Sequence, residues 1–124
     1  MQAADAVING RKLKLNEQRD YLDAWTNARD QAIWDFVPAS SGKYKVEMNY
    51  FCSDQLAGST FDINIGESNL SAPTVPSRIE KETPGKEIGT ISVGQGLQTL
   101  TIQSIKLNKG PLMQLKSITL TPAN

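Results

Sequence analysis

The sequence predicts an all-β fold, an antiparallel two-sheet β-sandwich of jelly-roll type with about eight strands. Three observations lead there. Apolar and polar residues alternate with period two through several short segments, and stretches rich in glycine, proline and small polar residues separate them. The length, 124 residues, suits one core, so residues 1–124 read as a single domain.

Taken in order, Ala6-Val7-Ile8 and Lys12-Leu13-Lys14-Leu15 flank Asn9-Gly10, a pair suited to a hairpin turn or a sharp bend. From Asn16 to Ile33, apolar groups at Leu22, Trp25, Ala28 and Ala32 recur at helical spacing, which admits a short helical turn. Against a full helix, Thr26-Asn27 and Arg29-Asp30 suit a structured loop, and Ala32 to Val37 reads as a buried strand. Tyr44, Val46, Met48 and Tyr50 alternate with Lys45, Glu47 and Asn49, as a half-buried strand requires, and Cys52 continues the inward series as a buried thiol. Phe61, Ile63 and Ile65 repeat the pattern.

Two further strands, Lys86 to Val93 and Leu97 to Ile105, flank Gly94-Gln95-Gly96, whose glycines favour a tight hairpin. Met113 and Leu115 are out of phase with Ile118 and Leu120, so a bulge near Lys116-Ser117 is needed to keep all four inside. Loops are expected at Pro38 to Gly42, Ser53 to Gly58, Pro73 to Gly85 and Asn108 to Pro111. The charged run Arg78-Ile79-Glu80-Lys81-Glu82 reads as solvated loop.

Charge and chemistry narrow the function. Thirteen basic residues balance thirteen acidic ones without a like-charged block, so nucleic acid is a poor partner. No apolar run approaches the ~20 residues of a membrane helix, so membrane insertion is not expected. The N-terminal Met1-Gln2-Ala3-Ala4-Asp5 lacks a secretory profile, which fits either a cytosolic chain or a piece of a longer protein. There is no histidine and one cysteine, which removes the commonest general base and the ligands of a zinc site. Acidic residues such as Glu47, Asp62 and Asp30 fall on solvated faces or loops, so the chain is not expected to be an enzyme, and no cofactor or metal is expected.

The candidate ligand-binding residues are Tyr21, Trp25, Asn27, Arg29 and Asp30, all on the long connection before the buried strand. An aromatic pair stacks on a pyranose while neighbouring amides and charges bond its hydroxyls. In the alternative, Leu22 and Trp25 close one end of the core, and the polar groups satisfy the loop's own backbone. Trp34 and Phe36 alternate along a strand, where core packing is favoured for Trp34.

Several local signatures coincide: Trp25-Thr26-Asn27 ahead of Trp34-Asp35-Phe36, Gly42-Lys43-Tyr44-Lys45-Val46, Ala57-Gly58-Ser59, Ile88-Gly89-Thr90-Ile91, and Leu115-Lys116-Ser117-Ile118-Thr119-Leu120. In this order and spacing they resemble the galactose-binding-like accessory domains appended to bacterial sulfatases and α-L-fucosidases, a carbohydrate-binding-module-like group, from about Ala3 to Pro122. The resemblance implies a jelly-roll, an extracytoplasmic location (secreted, periplasmic or cell surface), glycan as a ligand, and a parent catalytic domain as a partner. Related calcium-containing modules carry a Glu-Ala-Glu-like first strand, where this chain has Gln2-Ala3-Ala4-Asp5, and Lys116 stands where an acid is common. Those replacements argue against a calcium site.

Overall fold

The computed structural model describes residues 1–81 and 83–123. A 3-10 turn, Ala3–Asp5, leads into ten strands: β1 (Val7–Asn9), β2 (Lys14–Asn16), β3 (Tyr21–Asp23), β4 (Gln31–Phe36), β5 (Gly42–Phe51), β6 (Thr60–Ile65), β7 (Ser68–Pro73), β8 (Lys86–Val93), β9 (Gln98–Lys106) and β10 (Gln114–Pro122). They form two antiparallel five-stranded sheets, ordered β1-β4-β9-β6-β7 and β2-β3-β10-β5-β8. The all-β sandwich expected from the alternation is present, with ten strands rather than about eight.

The alternation does what period two requires. Tyr44, Val46, Met48, Tyr50 and Cys52 point inward from β5 and its end, while Phe61, Ile63 and Ile65 from β6 and Leu100 and Ile102 from β9 meet them from the other sheet. Each such fully buried side chain contributes roughly 1.5–3 kcal/mol of transfer free energy. Trp34 is in this core, its indole N–H donating to the Gln2 carbonyl at 2.8 Å. The bulge falls where the phase change demands it. The β10–β5 register slips between Leu115 and Ser117, so that Met113, Leu115 and Ile118 are buried and Leu120 packs half-buried against the core.

Of the two turns read from glycine, the first is the sharp bend and the second is not the hairpin expected. β1 pairs with β4 and β2 with β3, so Asn9-Gly10 begins a sharp bend that carries the chain from one sheet to the other. Likewise β8 pairs with β5 and β9 with β4 and β6, so Gly94-Gln95-Gly96 is an arch between sheets. No helix forms between Asn16 and Ile33: β2 and β3 make a short hairpin, and the apparent helical spacing arises because Leu22, Trp25 and Ala32 are each fully buried from strand, loop and strand.

The pairing directions put five sheet-to-sheet connections at one end of the sandwich: residues 10–13, 24–30, 52–59, 74–85 and 107–113. The opposite end holds the links 17–20, 37–41, 66–67 and 94–97, none longer than five residues. These are named below the loop end and the turn end.

Candidate ligand-binding site at the loop end

The connection 24–30 is organised around Asp30, which is 1% exposed. Its carboxylate accepts three backbone N–H bonds from the 10–13 bend: Arg11 to Oδ1 at 3.0 Å, and Lys12 and Leu13 to Oδ2 at 2.8 and 2.7 Å. Burial alone pushes this carboxyl upward, but the backbone bonds from Leu13, Arg11 and Lys12, aided by the Arg11 charge, outweigh it and hold the group below its ordinary range. The Asp30 carbonyl accepts the Trp25 indole N–H at 3.2 Å.

Trp25 is 0% exposed, and its own carbonyl accepts the Leu112 amide at 2.8 Å. It therefore presents no face to a sugar. The stacking expectation for Trp25 is corrected: the ring closes the loop end of the core, because a bulky apolar side chain between two sheets gains more from packing than from solvent. Asp30 is likewise no sugar contact, since its oxygens are turned onto backbone donors. Tyr21 lies on β3 with its neighbour Leu22 facing the core, which puts the half-buried phenol on the outer face of the sheet, separated from the polar residues of the connection.

Asn27 and Arg29 are brought together. The Asn27 carboxamide accepts the Arg29 amide at 2.9 Å, and both side chains line an open cleft of about 560 Å³ with Asn9, Gly10 and Arg11. Of the five candidates, these two face ligand-accessible space in one place.

A larger cleft, about 630 Å³, opens where β5 ends and the 74–85 connection folds over the sheet. Phe51 forms its aromatic wall at 41% exposure, the exposed aromatic among the described residues, and Asp54, Arg78, Glu80 and Lys86 supply both signs of charge. A small apolar recess on the other side of Phe51 is lined by Leu56, Pro111 and Met113. Sequence reasoning passes over Phe51, although its signal is present: Tyr50 and Cys52 are inward, so the residue between them points out.

The walls of this cleft are fixed. Asn49, on the outer face yet buried, donates to the Glu80 carbonyl at 2.7 Å and accepts the Glu80 amide at 2.9 Å. Cys52 and Ser77 exchange backbone bonds at 3.0 and 2.9 Å, and the Tyr50 hydroxyl accepts the Val75 amide at 3.2 Å. The Ser59 hydroxyl accepts the Asn108 amide at 2.9 Å, tying a third connection to the same frame. Burial raises the Cys52 thiol, so it stays protonated and serves as packing. Of the charged run, Arg78 and Glu80 line the cleft, while Glu82 lies outside the described residues.

No protein-family model matches the sequence, and no curated protein does. Solved structures do match. A family 35 carbohydrate-binding module from Clostridium thermocellum aligns over 98% of this chain and 95% of its own, with a TM-score of 0.72 at 18% identity. A Podospora anserina GH26-CBM35 β-(1,4)-mannanase aligns over 100% of this chain at TM-score 0.69 and 20% identity, and a Paenibacillus cycloisomaltooligosaccharide glucanotransferase complexed with cycloisomaltoheptaose over 96% at 0.71 and 11%. This chain spans 27% and 17% of the length of those two larger proteins. The fold is therefore the β-sandwich of carbohydrate-binding modules, in agreement with the resemblance read from the sequence.

Proposed function

We propose that the chain is a non-catalytic carbohydrate-binding module of a larger extracytoplasmic carbohydrate-active protein, and that it contacts glycan at the loop end. The observation that carries this reading is Phe51, an aromatic ring left exposed on a rigid rim beside a cleft that offers carboxylates, a guanidinium and an ammonium. Such a ring covers the C–H face of a pyranose, and the flanking polar groups bond its hydroxyls directionally. Preordered walls lower the cost of fixing a flexible sugar. The modular neighbours support attachment to a catalytic partner domain, since in two of them the matching region is a minor part of the chain. Residues 1–124 then act as one domain of a longer protein.

The test is calorimetric titration of the domain with neutral oligosaccharides of mannan, xylan and glucan, repeated with Phe51→Ala. Loss of about tenfold or more in affinity, with the melting temperature nearly unchanged, is expected for one lost stacking contact. Binding that survives in Phe51→Ala moves the site elsewhere. Absence of binding to every glycan, combined with capture of a catalytic domain through the same rim, would replace the reading by a structural domain that packs on its parent.

A further inference from the structure

The cleft of about 560 Å³ beside the 10–13 bend differs in charge from the one beside Phe51. The Phe51 cleft pairs Asp54 and Glu80 with Arg78 and Lys86, whereas two exposed arginines, Arg11 and Arg29, line this one with Asn9, Asn27 and no acidic side chain. Among the described residues the ion pairs join Lys45 to Glu47 and Glu87, and Lys116 to Asp20; neither arginine takes part in one. The nearby carboxylate, Asp30, lies beneath the bend with its oxygens on the amides of residues 11–13. One buried negative charge under two guanidiniums leaves an excess of positive charge at the surface.

The geometry around these arginines is constrained from both sides. Asp30 fixes the bend that carries Arg11, and a Cβ at Gly10 would overlap the Asp30 carboxyl group, so the chain there approaches as only glycine can. On the facing segment, the Asn27 carboxamide accepts the Arg29 amide, and the Asp30 amide bonds back to the Asn27 carbonyl at 3.1 Å. The two backbone positions are thus held by one hydrogen-bonded unit, while among the described residues neither guanidinium forms an ion pair with an acid. Guanidinium donors in a fork match the paired oxygens of a carboxylate or sulfate ester, and the amides of Asn9 and Asn27 add neutral donors and acceptors.

We propose that Asn9, Arg11, Asn27 and Arg29 form a second subsite that binds an anionic substituent of a glycan, a carboxylate or a sulfate ester. The proposal rests on the reading of the chain as a glycan-binding module and adds charge selection to it. A neutral sugar bound at Phe51 has no use for two guanidiniums, whereas an acidic residue elsewhere along the same glycan does.

Affinity electrophoresis and calorimetry of the whole 124-residue chain test it with three polymers: dextran sulfate, polygalacturonate and unsubstituted dextran. The comparison is between the native chain, Arg11→Gln with Arg29→Gln, and Arg19→Gln, an exposed arginine at the turn end that removes charge without touching the cleft. Expected is binding of at least one acidic polymer, weakened about tenfold or more by the double substitution and less than about twofold by Arg19→Gln. Response to dextran sulfate alone assigns the sulfate ester, to polygalacturonate alone the carboxylate, and to both a general oxyanion site. The proposal is overturned if neither acidic polymer binds, if Arg19→Gln weakens binding as much as the double substitution, or if unsubstituted dextran binds equally well and is lost equally. Phe51→Ala, assayed on the neutral oligosaccharides, reports separately on the underlying reading.

Discussion

The two ends of the sandwich are built on opposite terms. At the turn end, Gly66 and Gly96 take positive φ with open space where a side chain would go, so their requirement is conformational alone. At the loop end, a Cβ on Gly85 would overlap the Met48 carbonyl, and one on Gly10 would overlap Asp30. The long connections are packed against each other, capped by Trp25 and stitched through Asp30, Asn49 and Ser59, although loops of this length need none of that to join strands. Order beyond what connectivity requires, at the end carrying the exposed ring and the two clefts described above, is what the proposed glycan contact rests on, whereas the open cleft at the turn end, lined by Lys43, Ser68, Asn69, Thr90, Ile91 and Ser92, has no aromatic wall.

This contrast is sharpened by substitution, starting with Trp25→Ala. Removing a fully buried ring should cost about 3–5 kcal/mol in urea unfolding and take glycan affinity with it, because the connections lose their common support. A near-neutral result would show that the loop end tolerates a void and that Trp25 is no plug.

Asp30→Asn should cost about 2–3 kcal/mol near neutral pH, since three amides lose a charged acceptor. The pH dependence follows from the lowered carboxyl. Its stabilisation is full above the unfolded value of about 3.9 and is lost as pH falls through the lower folded value. Acid unfolding of the native chain should therefore steepen below about pH 4, and the Asp30→Asn variant should lack that part of the slope. Identical acid profiles would contradict the assigned role.

At the other end, Gly66→Ala should cost only about 1 kcal/mol, the backbone penalty of a left-handed alanine, and leave glycan binding intact. A drop comparable to that of Trp25→Ala would erase the distinction between the ends.

The long strands are legible in the sequence because one dry and one wet face impose period two over many residues, as from Tyr44 to Cys52. The bulge at Lys116 is legible too, since a phase change inside one strand admits few solutions. Pairing is harder to read. Asn9-Gly10 and Gly94-Gln95-Gly96 have the residues of tight turns, yet turn chemistry does not say whether the flanking strands pair or part to opposite sheets. β3 is three residues long, too short for a period, and β7 offers Leu70 as its one large apolar side chain, so both escape a reading by alternation. In the candidate site, Asn27 and Arg29 line a common cleft. Trp25 and Asp30 do not, because ring burial and carboxylate bonding are decided by tertiary partners at residues 11–13 and 112.

The most direct test of a functional loop end is an amide chemical-shift titration of the isotope-labelled domain with whichever oligosaccharide binds in calorimetry. The account predicts saturable shifts at residues 10–13 and 24–30, at 51–54 and at 76–86, with 66–67 and 94–97 unmoved. Shifts concentrated at the turn end, or spread over an outer sheet face with the loop end silent, would contradict it.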